Sequence, residues 1–177
     1  MEKRVLQTYS TWAKEHLENQ IEVSLKALGI HSEQDIKSAK RAGDYTVIEG
    51  DPNSYPGSLL GKRSQIVTLV RENGYQNVIE EFAYTWFNRF VALRFMEVHD
   101  FLPHGFRVLS NRSGGVEPEI LKNYTLVARE LKLDTALCSE LKDAGKTEDL
   151  YRYLLLQQCG ALAEILPMLF SRERFIR

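Results

Sequence analysis

The chain has little cysteine, no long apolar run and no excess of either charge. Only two cysteines, Cys138 and Cys159, stand among its 177 residues, and they form no Cys-x-x-Cys pair. Neither a disulfide scaffold nor a cysteine-built zinc site is expected, and a reduced cytoplasm is the natural setting. No uninterrupted apolar stretch reaches the roughly 20 residues that span a bilayer, and Met1-Glu2-Lys3-Arg4 opens straight into an amphipathic pattern instead of an apolar signal core. Basic and acidic residues nearly cancel, 23 against 24, for a net charge of −1. Bulk attraction to a polyanion is thereby excluded, so any nucleic-acid contact must use a local patch. With 44% hydrophobic and 27% charged residues, the composition excludes wholesale disorder.

What is present is mainly helical period. Val5, Tyr9, Trp12, Ala13, Leu17, Ile21, Leu25 and Leu28 recur at three- and four-residue steps, which predicts a first helix over 3–28 with one buried stripe and Gly29 at its stop. Residues 31–61, rich in glycine and polar side chains, read as an irregular connector with one short strand at Tyr45-Thr46-Val47-Ile48. Helical period returns over 62–73 and 76–98. Phe106-Arg107-Val108-Leu109 is expected to pair with 45–48 as a second strand. Further helices are expected over 117–132, with Pro118 in the first turn, and over 148–172, with Thr147 as cap; Thr135 suits the cap of a short helix between them. Pro167 should end or kink the last helix near Ala163. The fold class is thus mainly α, a multi-helix domain with a short two-stranded β element, divided as 1–30, 31–61 and 62–177.

Sparse polar features weigh against a metal or a hydrolytic centre. His99 and His104 are five residues apart, outside the three- or four-residue spacing of helical metal ligands, and no acidic cluster has metal-binding spacing. A small nuclease or other hydrolase therefore ranks last. Lys62, Arg63 and Arg71, and Arg107 with Arg112, form small basic clusters near turns; solvated surface and phosphate contact both remain open for them. Ser113-Gly114-Gly115 reads as a plain turn. The last helix is apolar nearly all round, from Leu150 through Leu154, Leu155, Leu162, Ile165, Leu166 and Phe170, so it is either a central core helix or a face that awaits another domain or a second copy.

The densest information lies in Phe82-Ala83-Tyr84-Thr85-Trp86-Phe87-Asn88-Arg89-Phe90-Val91-Ala92-Leu93-Arg94-Phe95-Met96-Glu97. Ile79, Phe82, Ala83, Trp86, Phe87, Phe90 and Leu93 make a wide apolar face. Arg94 continues that face and needs a carboxylate or carbonyl partner, which Glu97 supplies within helical reach. A core helix with an internal ion pair competes here with a contact role for Asn88, Arg89 and Arg94.

The run 83–89, continued by Ala92-Leu93-Arg94-Phe95-Met96-Glu97, Leu102-Pro103, Gly105 and Arg107-Val108-Leu109-Ser110, resembles the N-terminal region of PglX-type adenine-specific DNA methyltransferases of BREX phage-defence loci, also described as type II restriction–modification methylases. The likeness extends over most of the chain, and its sharp motif is confined to 83–110. It implies a helical front end to a much longer S-adenosylmethionine-dependent enzyme that methylates adenine N6 in DNA. This chain has neither a glycine-rich cofactor loop after a strand nor an Asn/Asp-Pro-Pro-aromatic tetrapeptide; Asp51-Pro52-Asn53 is the nearest approach. No catalytic, cofactor or metal residue is therefore assigned within it, and S-adenosylmethionine belongs to the parent. Tyr84, Trp86, Phe87, Phe90, Arg94 and Glu97 are expected as a structural signature. Asn88, Arg89, Lys62, Arg63, Arg71, Arg107 and Arg112 are the candidates for DNA or interdomain contact. The expected partners are the downstream methyltransferase domain, duplex DNA through the parent, and self-association through 148–172. The alternative is a free-standing helical module that docks a defence-system partner.

Overall fold

The computed structural model describes residues 3–171. Its elements run α1 (Lys3–Ala27), β1 (Ala39–Ala42), β2 (Tyr45–Ile48), β3 (Ser54–Pro56), α2 (Leu59–Asn73), α3 (Tyr75–Val98), α4 (Glu119–Val127), α5 (Thr135–Asp143), α6 (Thr147–Ile165) and α7 (Pro167–Phe170). The fold is mainly α with one small sheet, as the periodicity predicts. Two compact units divide inside α3, between Phe87 and Asn88, where the sequence carries no punctuation.

The first unit is built on Leu25, Ile30, Val70, Val78 and Ile79, all nearly inaccessible, with Ile21, Leu28, Ile66, Val67 and Phe82 packed around them. Apart from Leu28 and Ile30, which follow α1, these residues come from α1, α2 and α3 at helical spacing, so burial of their apolar faces drives the unit together. The expected stripe of α1 is only partly used. Tyr9 and Trp12 are 58% and 57% exposed, and no described residue of α1 before Leu25 is buried. Among the described residues the helix reaches the core with its last third; the Val5 side chain lies outside the described residues.

The connector 31–61 is more ordered than its composition suggests. Its three strands form one antiparallel sheet in the order β1-β2-β3, with Ala39 opposite Ile48, Ala42 opposite Tyr45, and Tyr45 opposite Pro56. Thr46 and Ile48 are buried while Tyr45 is exposed and Val47 half-buried, the period of two that a one-sided sheet requires. The pairing expected between 45–48 and 106–109 does not form. Strand β2 finds both neighbours within its own unit, and the Val108 and Leu109 amides are taken by the Glu97 carboxylate instead.

Gly29 closes α1 with φ +69°, a left-handed conformation in which a Cβ would stand 2.7 Å from Ile48 Cγ2 and 3.0 Å from Lys37 Cβ. Both the backbone and the space therefore demand glycine. Gly29→Ala is expected to lower stability by about 1–3 kcal/mol, measured as a fall in the urea midpoint, because strain and a steric clash add.

In the second unit α6 packs against α4 and α5. Leu93, Val108, Ile120, Val127, Leu154 and Leu162 are among its fully buried side chains. Helix α5 is capped by Asp134, whose carboxylate accepts from the Ala136 and Leu137 amides at 3.0 and 3.1 Å; Thr135, expected as cap, is the first helical residue. Lys146, not Thr147, holds the cap position of α6. Pro167 ends the helix instead of kinking it, two residues later than Ala163: α6 runs to Ile165, Leu166 breaks it, and the proline opens α7, where its missing N–H costs nothing. The end of the expected 148–172 helix, at Arg172, falls outside the described residues.

Candidate functional site

Two of the signature residues, Arg94 and Glu97, meet in the second unit. Glu97, on the last turn of α3, is 1% exposed. Its Oε2 accepts the Val108 and Leu109 amides at 2.9 and 2.8 Å, and its Oε1 accepts the Ser110 hydroxyl at 2.9 Å and Arg94 Nη1 at 2.6 Å. The same guanidinium nitrogen reaches Ser110 Oγ at 2.7 Å. A buried carboxylate is tolerated only when its lone pairs are filled, and here all four contacts are donors. The Arg94–Glu97 pair that the helical spacing predicts is therefore present. It is one arm of a larger hub that fastens loop 107–110 to α3, with Arg94 itself half exposed.

The same loop is held from its other side. Glu119 on the first turn of α4 accepts the Arg107 amide at 3.0 Å and the Arg112 amide at 2.8 Å. Its carboxylate also faces Arg112 Nη1 at 3.5 Å, and Arg112 pairs in turn with Asp100. Tyr151 donates its hydroxyl to the Val108 carbonyl at 3.1 Å, and burial raises the pKa of that phenol. His104 Nδ1 accepts the Phe106 amide at 3.1 Å, which leaves Nε2–H to donate to Gln158 Oε1 at 2.7 Å. Neither His104 nor His99 meets a metal-binding neighbourhood: among the described residues no group of three or more His, Cys, Asp or Glu side chains is placed to hold an ion.

Burial raises the Glu119 pKa, but the two amides and the Arg112 guanidinium outweigh it, and the net result lies below the ordinary glutamate value. A lowered folded-state pKa gives stability that is complete above the unfolded-state value and is lost as pH falls through the lowered one. Glu119→Gln is therefore expected to flatten the acid limb of the stability curve below the ordinary glutamate range, measured by urea titrations across that limb.

The candidate contact residues divide sharply. Arg63 is buried; its Nε donates to the Leu28 carbonyl at 2.7 Å and its Nη2 to that of Lys37. Burial also lowers its pKa. Arg89 is buried too, with Nε donating to Leu169 O at 3.2 Å and Nη2 to Phe170 O and Ser171 O at 3.4 and 3.1 Å. Among the described residues these two guanidiniums donate to main-chain carbonyls of their own units, where DNA or interdomain contact was expected of them. Arg107 is half-buried, and its Nε is shielded without a hydrogen-bond acceptor among the described residues. Arg112 is neutralised by two carboxylates. Lys62 and Arg71 on α2 are exposed and form no ion pair among the described residues, and Asn88 is half-buried. Trp86, Phe87 and Phe90 are half-buried where a full core position was expected, and Tyr84 is 62% exposed.

The sequence left Glu119 unassigned, although an acid just after a proline is a usable sign of a helix start. It also left unremarked a cluster of Phe95, His99 and Phe101, whose ring centroids lie 4.5 to 5.8 Å apart. Both phenylalanines are more than half exposed.

No family model matches the chain. Individual proteins do. It is 37% identical over 172 residues to the adenine-specific methyltransferase BrxX of Escherichia coli O9:H4 (strain HS), an alignment that takes in 94% of this chain and 14% of that protein. It is 30% identical over 190 residues to the adenine-specific methyltransferase PglX of Lacticaseibacillus casei (strain Zhang), covering 97% of this chain and 16% of that one. The chain is a relative of the PglX-type methyltransferases. It spans about a seventh of the length of these curated relatives, so their activity is not thereby the activity of residues 1–177. Among the described residues no helix is long and apolar enough to cross a membrane.

Proposed function

We propose that this chain is the non-catalytic, helical N-terminal region of an S-adenosylmethionine-dependent DNA adenine-N6 methyltransferase of a phage-defence or restriction–modification system, acting in the cytoplasm and buttressing the catalytic domain. The observation that carries the reading is near-complete coverage of this chain by a small part of two adenine-specific methyltransferases. The Glu97 hub supports it: four donors on one buried carboxylate build a rigid platform, which suits a scaffold, and the same residues bring together no nucleophile, base and electrophile for chemistry of their own. Reading the source gene past the codon for Arg177 tests the proposal. An open frame that continues into a glycine-rich cofactor loop and an Asn/Asp-Pro-Pro-aromatic motif is expected; a stop codon contradicts it.

Contact with DNA, if made by the first unit, falls to Lys62 and Arg71, the candidates that remain exposed and unpaired in the described structure. Each neutralised phosphate steepens the salt dependence of binding by about one unit of logarithmic slope. K62E/R71E in the whole polypeptide is expected to weaken duplex binding and to reduce that slope by about two. An unchanged slope places the phosphate contacts elsewhere. A docking module for another defence protein is the second reading, favoured by the exposed Ile165, Leu166 and Met168 at the α6–α7 junction.

A further inference from the structure

Within the second unit helix α3 has one buried face and one exposed apolar stripe. Arg89, Leu93 and Glu97 point inward and are buried, while Val91, Phe95 and Val98 on the opposite side are 51%, 56% and 46% exposed. A contiguous apolar stripe left exposed on a helix marks a surface that another element covers. The outer residues, with half-buried Asn88 before them, follow the spacing 88, 91, 95, 98. That alternation of three and four is the seam of one helix packed lengthwise on another, and a single Asn at a seam position sets the register of such a pair. Around Val98 the seam ends on the rings of Phe95, His99 and Phe101, in mutual contact with centroids 4.5 to 5.8 Å apart.

We propose that this outer stripe of α3 is the seat of an amphipathic α-helix from the remainder of the same polypeptide. The proposal rests on the reading above that a longer methyltransferase contains this region. Charge argues against a nucleic-acid occupant: Arg94 beside the stripe is committed to Glu97, and Arg112 to Asp100 and Glu119, so neither of these cations is free for a phosphate. Size argues against a second copy. Eleven residues of helix give a seam roughly 16 Å long, and two half-exposed phenylalanines with two valines offer roughly 400 Å². A stable dimer of separate chains needs about 800 Å² from each partner. A tether removes that requirement, because a segment of the same polypeptide is present at an effective concentration on the order of millimolar. The relatives have the length to supply such a segment, since the matched region is only 14% and 16% of each.

Thiol labelling tests the seat. The natural cysteines are both buried, and burial pushes the Cys159 thiol up to about 11, so they react slowly with a maleimide. Val91→Cys introduces a reporter at the centre of the stripe, and Leu126→Cys, at a 71% exposed position of α4, is the reference. Both should label fast in the 177-residue chain. In the whole polypeptide Val91→Cys is expected to label at least tenfold more slowly while Leu126→Cys keeps its rate; should Val91→Cys fail to fold, Phe95→Cys carries the same comparison. Equal rates in the two contexts overturn the proposal, and so does a native polypeptide no longer than this chain. Slowing that appears in the 177-residue chain as its concentration rises overturns it in favour of a second copy. Slowing that appears only when duplex DNA is added overturns it in favour of nucleic acid. Detection of N6-methyladenine made by the same whole polypeptide keeps the outcomes apart. Methylation with an unprotected Val91→Cys sinks the seat alone, and protection without methylation sinks the methyltransferase reading alone.

Discussion

Glu97→Ala lowers the stability of the chain by about 3–4 kcal/mol in a urea titration, the largest single-residue loss expected here. The truncation strands the Val108 and Leu109 amides and the Ser110 hydroxyl, and it deprives Arg94 of its carboxylate. Each buried donor left without an acceptor costs about 1–3 kcal/mol. The Arg94 arm adds little to that sum, because a half-exposed guanidinium regains water when its partner goes. Glu97→Gln separates the contributions. Its carbonyl oxygen still accepts the two amides, while its NH₂ replaces the oxygen that faced Arg94 and Ser110, so a loss of about 1–2 kcal/mol is expected. Losses below about 1 kcal/mol for the alanine variant would show that loop 107–110 is held by Glu119 and Tyr151 without the hub.

Arg89→Met comes next, with an expected loss of about 2–3 kcal/mol. The carbonyls of Leu169, Phe170 and Ser171 lie at and just beyond the end of α7, where a helix has no internal donors left to offer. One planar guanidinium satisfies them together. Arg89→Lys should recover little of the loss, because an ammonium group lacks the fork that reaches several acceptors at once. Hydrogen exchange gives the local reading. The Phe170 and Ser171 amides, bonded to Leu166 O and Pro167 O, are expected to exchange faster in Arg89→Met while α4 and α5 keep their protection. Unchanged protection of α7 would contradict the clamp.

The helices were legible because their apolar residues repeat at helical spacing and because Gly29 and Pro118 mark boundaries by backbone chemistry alone. The three-residue spacing of Arg94 and Glu97 also showed their ion pair. The main partners of Glu97 were not legible, since they are backbone amides of a loop, and amides leave no mark in a residue pattern. The carbonyl acceptors of Arg89 were hidden for the same reason: they lie some 80 residues away, and nothing in the sequence around an arginine tells a phosphate from a carbonyl. Strand β1 escaped notice because Ala39-Lys40-Arg41-Ala42 has neither β-branched nor aromatic residues; pairing with β2 imposes its conformation. Tyr9 and Trp12 were assigned to a buried stripe on period alone. Period tells which residues share a face, but not whether anything covers it. Helix α3 teaches this lesson again, since Trp86, Phe87 and Phe90 read as core and are only half-buried.

The central claim, that these residues are the non-catalytic front of a DNA adenine methyltransferase, is tested most directly by mapping N6-methyladenine in host DNA. One strain would express the whole native polypeptide, a second residues 1–177 alone, and a third the whole polypeptide with Glu97→Ala. The account predicts a methylated sequence motif in the first strain, none in the second, and a reduced methylated fraction in the third as the platform loosens. Methylation by residues 1–177 alone, or none from the whole polypeptide together with its native defence partners, would contradict it.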